Sequence, residues 1–224
     1  NITISNSATR FEYNSSARGG VLALEGGNLT INNGSFTNNS ASNQGGVIYA
    51  TNSTISIANG TYSQNNATNN GGVIFSGGNG LTIGNGSFTG NSSAAGGVAY
   101  TNVLSVNGGS FSMNSATTGS AFDISGGTPV FSGSGINVDG TINLRTSVSS
   151  ISISAGTFKQ RITLHGTSTF NLSGAPVISG GIILANASAK ITVLSTLTFA
   201  DTNSIGVYLG SGHYTLGREV ITYT

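Results

Sequence analysis

The chain contains no cysteine, so neither disulfide staples nor thiolate metal sites are open to it. Charge is almost as scarce. Seven basic and six acidic residues make up 6% of the 224 positions, where an average soluble chain carries about 25%. A formal net charge of +1 leaves no electrostatic footprint for nucleic acid or an anionic membrane surface. No apolar run approaches the ~20 residues of a membrane-spanning helix, and no stretch reads as a signal peptide. Neither nucleic-acid binding nor membrane insertion is therefore expected. Proline occurs twice, at Pro129 and Pro176, each close to glycine and marking a turn.

What fills the chain instead is 35 Gly, 34 Ser, 27 Thr and 26 Asn, together more than half of it. So polar and uncharged a composition suits disorder, but 37% of the residues are hydrophobic and they recur at a fixed period, which disordered low-complexity chains do not show.

Three rows keep that period. Gly-Gly followed by an apolar residue starts at Gly19, Gly45, Gly71 and Gly96. An aromatic with Asn three residues on occurs at Phe11 and Asn14, Phe36 and Asn39, Tyr62 and Asn65, Phe88 and Asn91, and Phe111 and Asn114. An apolar–hydroxyl–apolar triplet is centred on Thr3, Thr30, Ser56, Thr82 and Ser105. The spacings lie between 23 and 27 residues. Alternation within each row is that of a β-strand, and Gly and Asn punctuate it.

One such unit cannot bury its own apolar face, whereas units stacked about 4.8 Å apart share a core. The expected fold is all-β: a single-stranded, right-handed parallel β-helix of about nine coils, with three strands per coil. Residues 1–118 read as regular coils and 119–224 as less regular ones in the same continuous helix, with strand-like alternation at 136–138, 142–144, 151–153, 162–164, 182–184 and 191–193. Phe11, Phe36, Tyr62, Phe88 and Phe111 are expected to stack inside. Asn14, Asn39, Asn65, Asn91 and Asn114 are expected to form a buried amide ladder at the following turn. The paired glycines suit corners that need positive φ or a close backbone approach.

The pairing of Gly19-Gly20-Val21-Leu22 with Phe36-Thr37-Asn38-Asn39, and of its counterparts up to Gly96-Gly97-Val98-Ala99 with Phe111-Ser112-Met113-Asn114, resembles the repeats of the chlamydial polymorphic membrane protein family. The resemblance spans roughly residues 11–114. It implies a β-helical passenger region of a surface adhesin. The later part, from Phe170 to Val207, is similar to the closing coils of large repetitive bacterial surface proteins.

Chemistry is thinly represented. The acids Glu12, Glu25, Asp123, Asp139, Asp201 and Glu219 are scattered, whereas glycoside hydrolysis needs two carboxylates about 5–10 Å apart. Asp123 and Asp139, with Arg145, Lys159 and Arg161 nearby in sequence, form the one stretch where a polysaccharide lyase or hydrolase site is conceivable, and ordinary turn solvation is the plainer reading. His165 and His213 lack metal-ligand partners at useful spacing. Gly77-Gly78-Asn79-Gly80 has no following Asp to bind calcium. The hydroxyl row at 3, 30, 56, 82 and 105 is flanked by mixed residues, unlike the flat threonine array of an ice-binding surface. No catalytic residue, metal or cofactor is expected.

Asn-x-Ser/Thr occurs twelve times. Asn33, Asn59 and Asn85 precede turn glycines, and Asn52, Asn171 and Asn186 complete the set of candidate glycan acceptors. The ladder positions Asn14 and Asn91 are expected to be buried. The sequence thus points to an extracellular or cell-surface structural and adhesive solenoid, a building block of a fibre or adhesin. Its expected partners are glycans, a host or cell surface, and copies of itself stacked head to tail through the coils at 1–4 and 220–224. A polysaccharide-active β-helix enzyme is the alternative, and an ice-binding protein is third.

Overall fold

The structure, a computed structural model, describes residues 1–197, 205–210 and 221–223. Alternating apolar and hydroxyl residues extend into strands of two to ten residues, such as Asn66–Ala67 and Ile48–Ile57. Among the described residues all ladders are parallel, and no helix is long and apolar enough to cross a membrane. One row runs the length of the rod. Leu22, Ile48, Ile74, Ala99, Phe122, Ile142, Ile162, Ile182 and Val207 are successive register partners. The fold is a parallel β-solenoid of about eight turns, close to the nine coils read from the sequence.

The register adds detail to that reading. The early coils have four rows of paired residues, of which the first two run through one long strand in Leu22–Ile31 and Ile48–Ile57, so that most of these coils hold three strands and the coil from Ile74 to Ala95 holds four. Ser15–Arg18, Ser40–Gln44, Asn66–Ala67, Ser92–Ala95 and Ser115–Thr118 form a second, five-stranded sheet along one side. The later coils are shorter: from Phe122 to Ile182 this row advances by 20 residues each time, while the step from Ile182 to Val207 is 25 and the neighbouring row steps by 22, 19 and 21 from Phe131 to Val193. The second sheet ends with Thr118. Eleven residues separate Phe36 from Ile48, but only three separate Val138 from Ile142, Phe158 from Ile162, and Ile178 from Ile182. The solenoid therefore contracts from a four-sided to a three-sided cross-section.

Stacking fills the core. Phe36, Tyr62, Phe88 and Phe111 are fully buried, with ring centroids 4.9, 4.5 and 5.0 Å apart and nearly parallel planes. Phe11 stacks on Phe36 at 5.1 Å but is only partly covered. Past the contraction the aromatics change geometry: Phe122, Phe131 and Phe158 meet edge to face. Ile4, Ile31, Ile57, Ile83, Val106 and Phe131 line the neighbouring row. Each buried aromatic of this size stabilises by several times ~0.8 kcal/mol per methylene-equivalent.

The Gly-Gly corner uses its two glycines for different reasons. Gly45 has φ of +66°, a conformation that side chains with a Cβ resist. A Cβ on Gly46 would lie 2.1 Å from the carbonyl oxygen of Gly72 in the next coil. The second glycine is thus dictated by its neighbour, not by its own backbone. Ser120 takes that position once the coil contracts, and its Oγ accepts from the N–H of Thr141 at 2.8 Å.

Candidate functional site

The aromatic-x-x-Asn motif builds a corner. Tyr13, Asn38, Gln64, Gly90 and Met113, each just before a ladder asparagine, hold φ between 54 and 68°. That left-handed residue swings the chain from the aromatic row into the second sheet. The asparagine behind it then bonds across coils. Asn39 donates its N–H and its Nδ2 to Oδ1 of Asn65 at 2.9 and 3.0 Å, and Asn65 does the same toward Asn91. The second Nδ2 hydrogen reaches back to the carbonyl of the preceding coil's aromatic, Phe11 or Phe36, at 2.9 Å. Asn39, Asn65, Asn91 and Asn114 are buried. Asn14 takes part through Asn39 but is exposed at the ladder's first rung, contrary to its expected burial.

A second aromatic ladder faces outward. Tyr49, Phe75 and Tyr100 are register partners, stacked at 5.2 and 5.6 Å. Stacked this way, the rings turn their faces to one another. The two end faces are covered by cations: the guanidinium of Arg18 lies 5.2 Å from the Tyr49 centroid and that of Arg145 5.2 Å from Tyr100. Only ring edges face outward, so this ladder is not a stacking platform for sugar rings. Its sequence signal is an aromatic four residues after Gly45, Gly71 and Gly96, whereas Ala23 holds that place after Gly19.

The next residue in that outward row is Asp123. Its carboxylate is fully buried on the strand Phe122–Ile124, not solvated in a turn as expected. Oδ1 accepts from Nε of Arg145 at 2.6 Å. Oδ2 accepts from Thr118 Oγ1 at 2.6 Å, Asn143 Nδ2 at 3.1 Å and Arg145 Nη2 at 3.3 Å. The hydrogen bond to Asp123 holds the Arg145 guanidinium charged even more firmly than usual, with burial opposing it. His165 Nε2 lies 2.8 Å from Asn143 Oδ1.

These groups border an open cleft of about 340 Å³, lined by Thr118, Asn143, Arg145, Thr146 and His165. It lies at the contraction, where the second sheet stops at Thr118 and the outward row continues without that wall. Asp139 belongs elsewhere: it sits past Val138 at the three-residue corner and accepts from Gln160 at 3.4 Å. Lys159 and Arg161 are exposed, with no ion pair among the described residues. Among the described residues no three His, Asp or Glu side chains gather as a metal site. Asp201, His213 and Glu219 lie outside the described residues.

Of the candidate glycan acceptors, Asn52, Asn59 and Asn85 are exposed, whereas Asn33, Asn171 and Asn186 are half-buried. Asn33, Asn59 and Asn85 occupy the same corner in successive coils, since Ser35, Thr61 and Ser87 behind them are in register. Comparison with protein-family models, with characterised proteins and with solved structures finds no match.

Proposed function

We propose that this chain is an extracellular structural and adhesive β-solenoid, a rigid building block of a surface fibre or adhesin. The observation that carries the reading is the pair of continuous ladders, Asn14 to Asn114 and Phe11 to Phe111, which bond every early coil to the next. They make a stiff rod whose outside is mostly Ser, Thr and Asn with very little charge, a surface suited to spacing and contact. The resemblance of residues 11–114 to repeats of surface adhesins supports the same reading.

Two observations disfavour the alternatives. Both oxygens of Asp123 are taken by Arg145, Thr118 and Asn143, so Asp123 offers no free carboxylate for glycoside cleavage in this stretch. The outward hydroxyl row from Thr3 to Ser105 continues through Val130, Ser152 and Asn171, so it is not a uniform threonine array. The reading is tested by immunogold imaging of the native source. Label on the cell surface or on extracellular fibres is expected, and label confined to the cytoplasm sinks it.

A further inference from the structure

We propose that the cleft at the contraction binds a carboxylate-bearing sugar unit of the uronate type, held by Arg145 and His165. The proposal deepens the adhesive reading and rests on it only for its biological meaning.

The cleft presents a cation whose counter-ion is out of reach. Asp123 is fully buried, whereas the Arg145 side chain is 43% exposed. Nε and Nη2 of Arg145 are committed to Asp123, and Nη1 has no protein partner among the described residues. The Tyr100 ring beneath and the Asp123 carboxylate beside it fix the guanidinium plane, so the free edge is pre-organised for a planar anion such as a carboxylate.

His165 supplies the opposite requirement. Asn143 turns its Nδ2 toward the Asp123 carboxylate, so its Oδ1 faces the imidazole. The imidazole must then donate from Nε2, and in the neutral ring Nδ1 is left as an acceptor without a protein partner among the described residues. A donor for an anion therefore stands beside an acceptor for a hydroxyl, with Thr146 lining the same cleft. A simple inorganic anion satisfies the first and not the second. A neutral sugar satisfies the second and not the first. A hydroxylated carboxylate meets both. At about 340 Å³ the cleft is at the small end of ligand sites, ~300–1,000 Å³, which suits one ring of a chain that continues into solvent.

The test is titration of isotope-labelled protein with galacturonate, glucose and acetate, followed by NMR. Saturable shifts at residues 143–146 and at His165 are expected for galacturonate, with Kd on the order of 1 mM and at least about tenfold weaker binding of the other two. Arg145→Gln leaves Asp123 buried without its cation and destabilises the fold, so His165→Ala carries the mutational arm. It should weaken galacturonate binding about fivefold with the circular-dichroism spectrum unchanged. Absence of saturable shifts, equal binding of acetate, or unaltered binding by His165→Ala each overturns the assignment. Because the readout is a soluble sugar acid, binding can succeed while the surface location fails, and the reverse.

Discussion

Asn65 gives two hydrogen bonds to one atom: its backbone N–H and its Nδ2 both point at Oδ1 of Asn91, 2.9 and 3.0 Å away. With the bond from Nδ2 to the Phe36 carbonyl and the two that its own Oδ1 accepts from Asn39, all its side-chain polar capacity is used inside the core.

Replacing Asn65 by Ala strips partners from Asn39, Asn91 and the Phe36 carbonyl at once. Destabilisation of roughly 1–3 kcal/mol per unsatisfied group is expected, read from urea unfolding. Asn14→Ala, at the exposed rung, should cost much less. Equal costs at the two positions contradict the ladder.

Tyr62 is the one tyrosine in a stack of phenylalanines, and its hydroxyl is buried without a partner. Burial pushes its pKa far above the ordinary value. Tyr62→Phe should therefore stabilise, by up to about 1–3 kcal/mol. The sign with pH follows from linkage. The folded state keeps this proton while the unfolded state loses it above pH ~10, so wild-type stability falls with rising pH there. Tyr62→Phe should remove that component, which denaturation curves on either side of pH ~10 would reveal.

At Gly46 a methyl group meets backbone atoms of the next coil, 2.1 Å from the Gly72 oxygen, whereas nothing lies within 4 Å of one built on Gly135. Gly46→Ala is expected to cost about 3 kcal/mol or prevent folding, while Gly135→Ala stays within ~0.5 kcal/mol. Thermal melting of the two variants decides it.

If the native source glycosylates this chain, Asn59 and Asn85 should carry glycans and the buried Asn91 should not. Adjacent coils are only about 4.8 Å apart, too close for bulky glycans on every rung of one corner. Partial and alternating occupancy is the expected glycopeptide pattern. An intact mass of the bare 22.3 kDa chain removes the idea.

Much of the core was legible because its residues repeat. Phe36, Tyr62 and Phe88 announce their row at a constant spacing, and Asn39, Asn65 and Asn91 theirs. The cleft was not, because its members follow a different coil length. Arg145 lies 22 residues beyond Asp123, and His165 22 beyond Asn143. Such pairs become neighbours only once the 20-residue step is known. Asp123 was misplaced for a related reason. It occupies the position of Tyr49, Phe75 and Tyr100, and a charge there signals the end of the aromatic column rather than a turn.

The change of cross-section after Thr118 also governs how such a protein can lengthen. Copying one unit, such as residues 45–70, inserts a rung between matching rungs, with glycine corners, ring and amide all meeting their like. The rod would gain about 4.8 Å without new side-chain designs. A copy placed beyond Thr118 would present a strand of the second sheet to coils that have none. Duplication is thus tolerated on one side of that boundary and penalised on the other, which makes residues 19–96 the segment through which descendants of this gene could tune their reach.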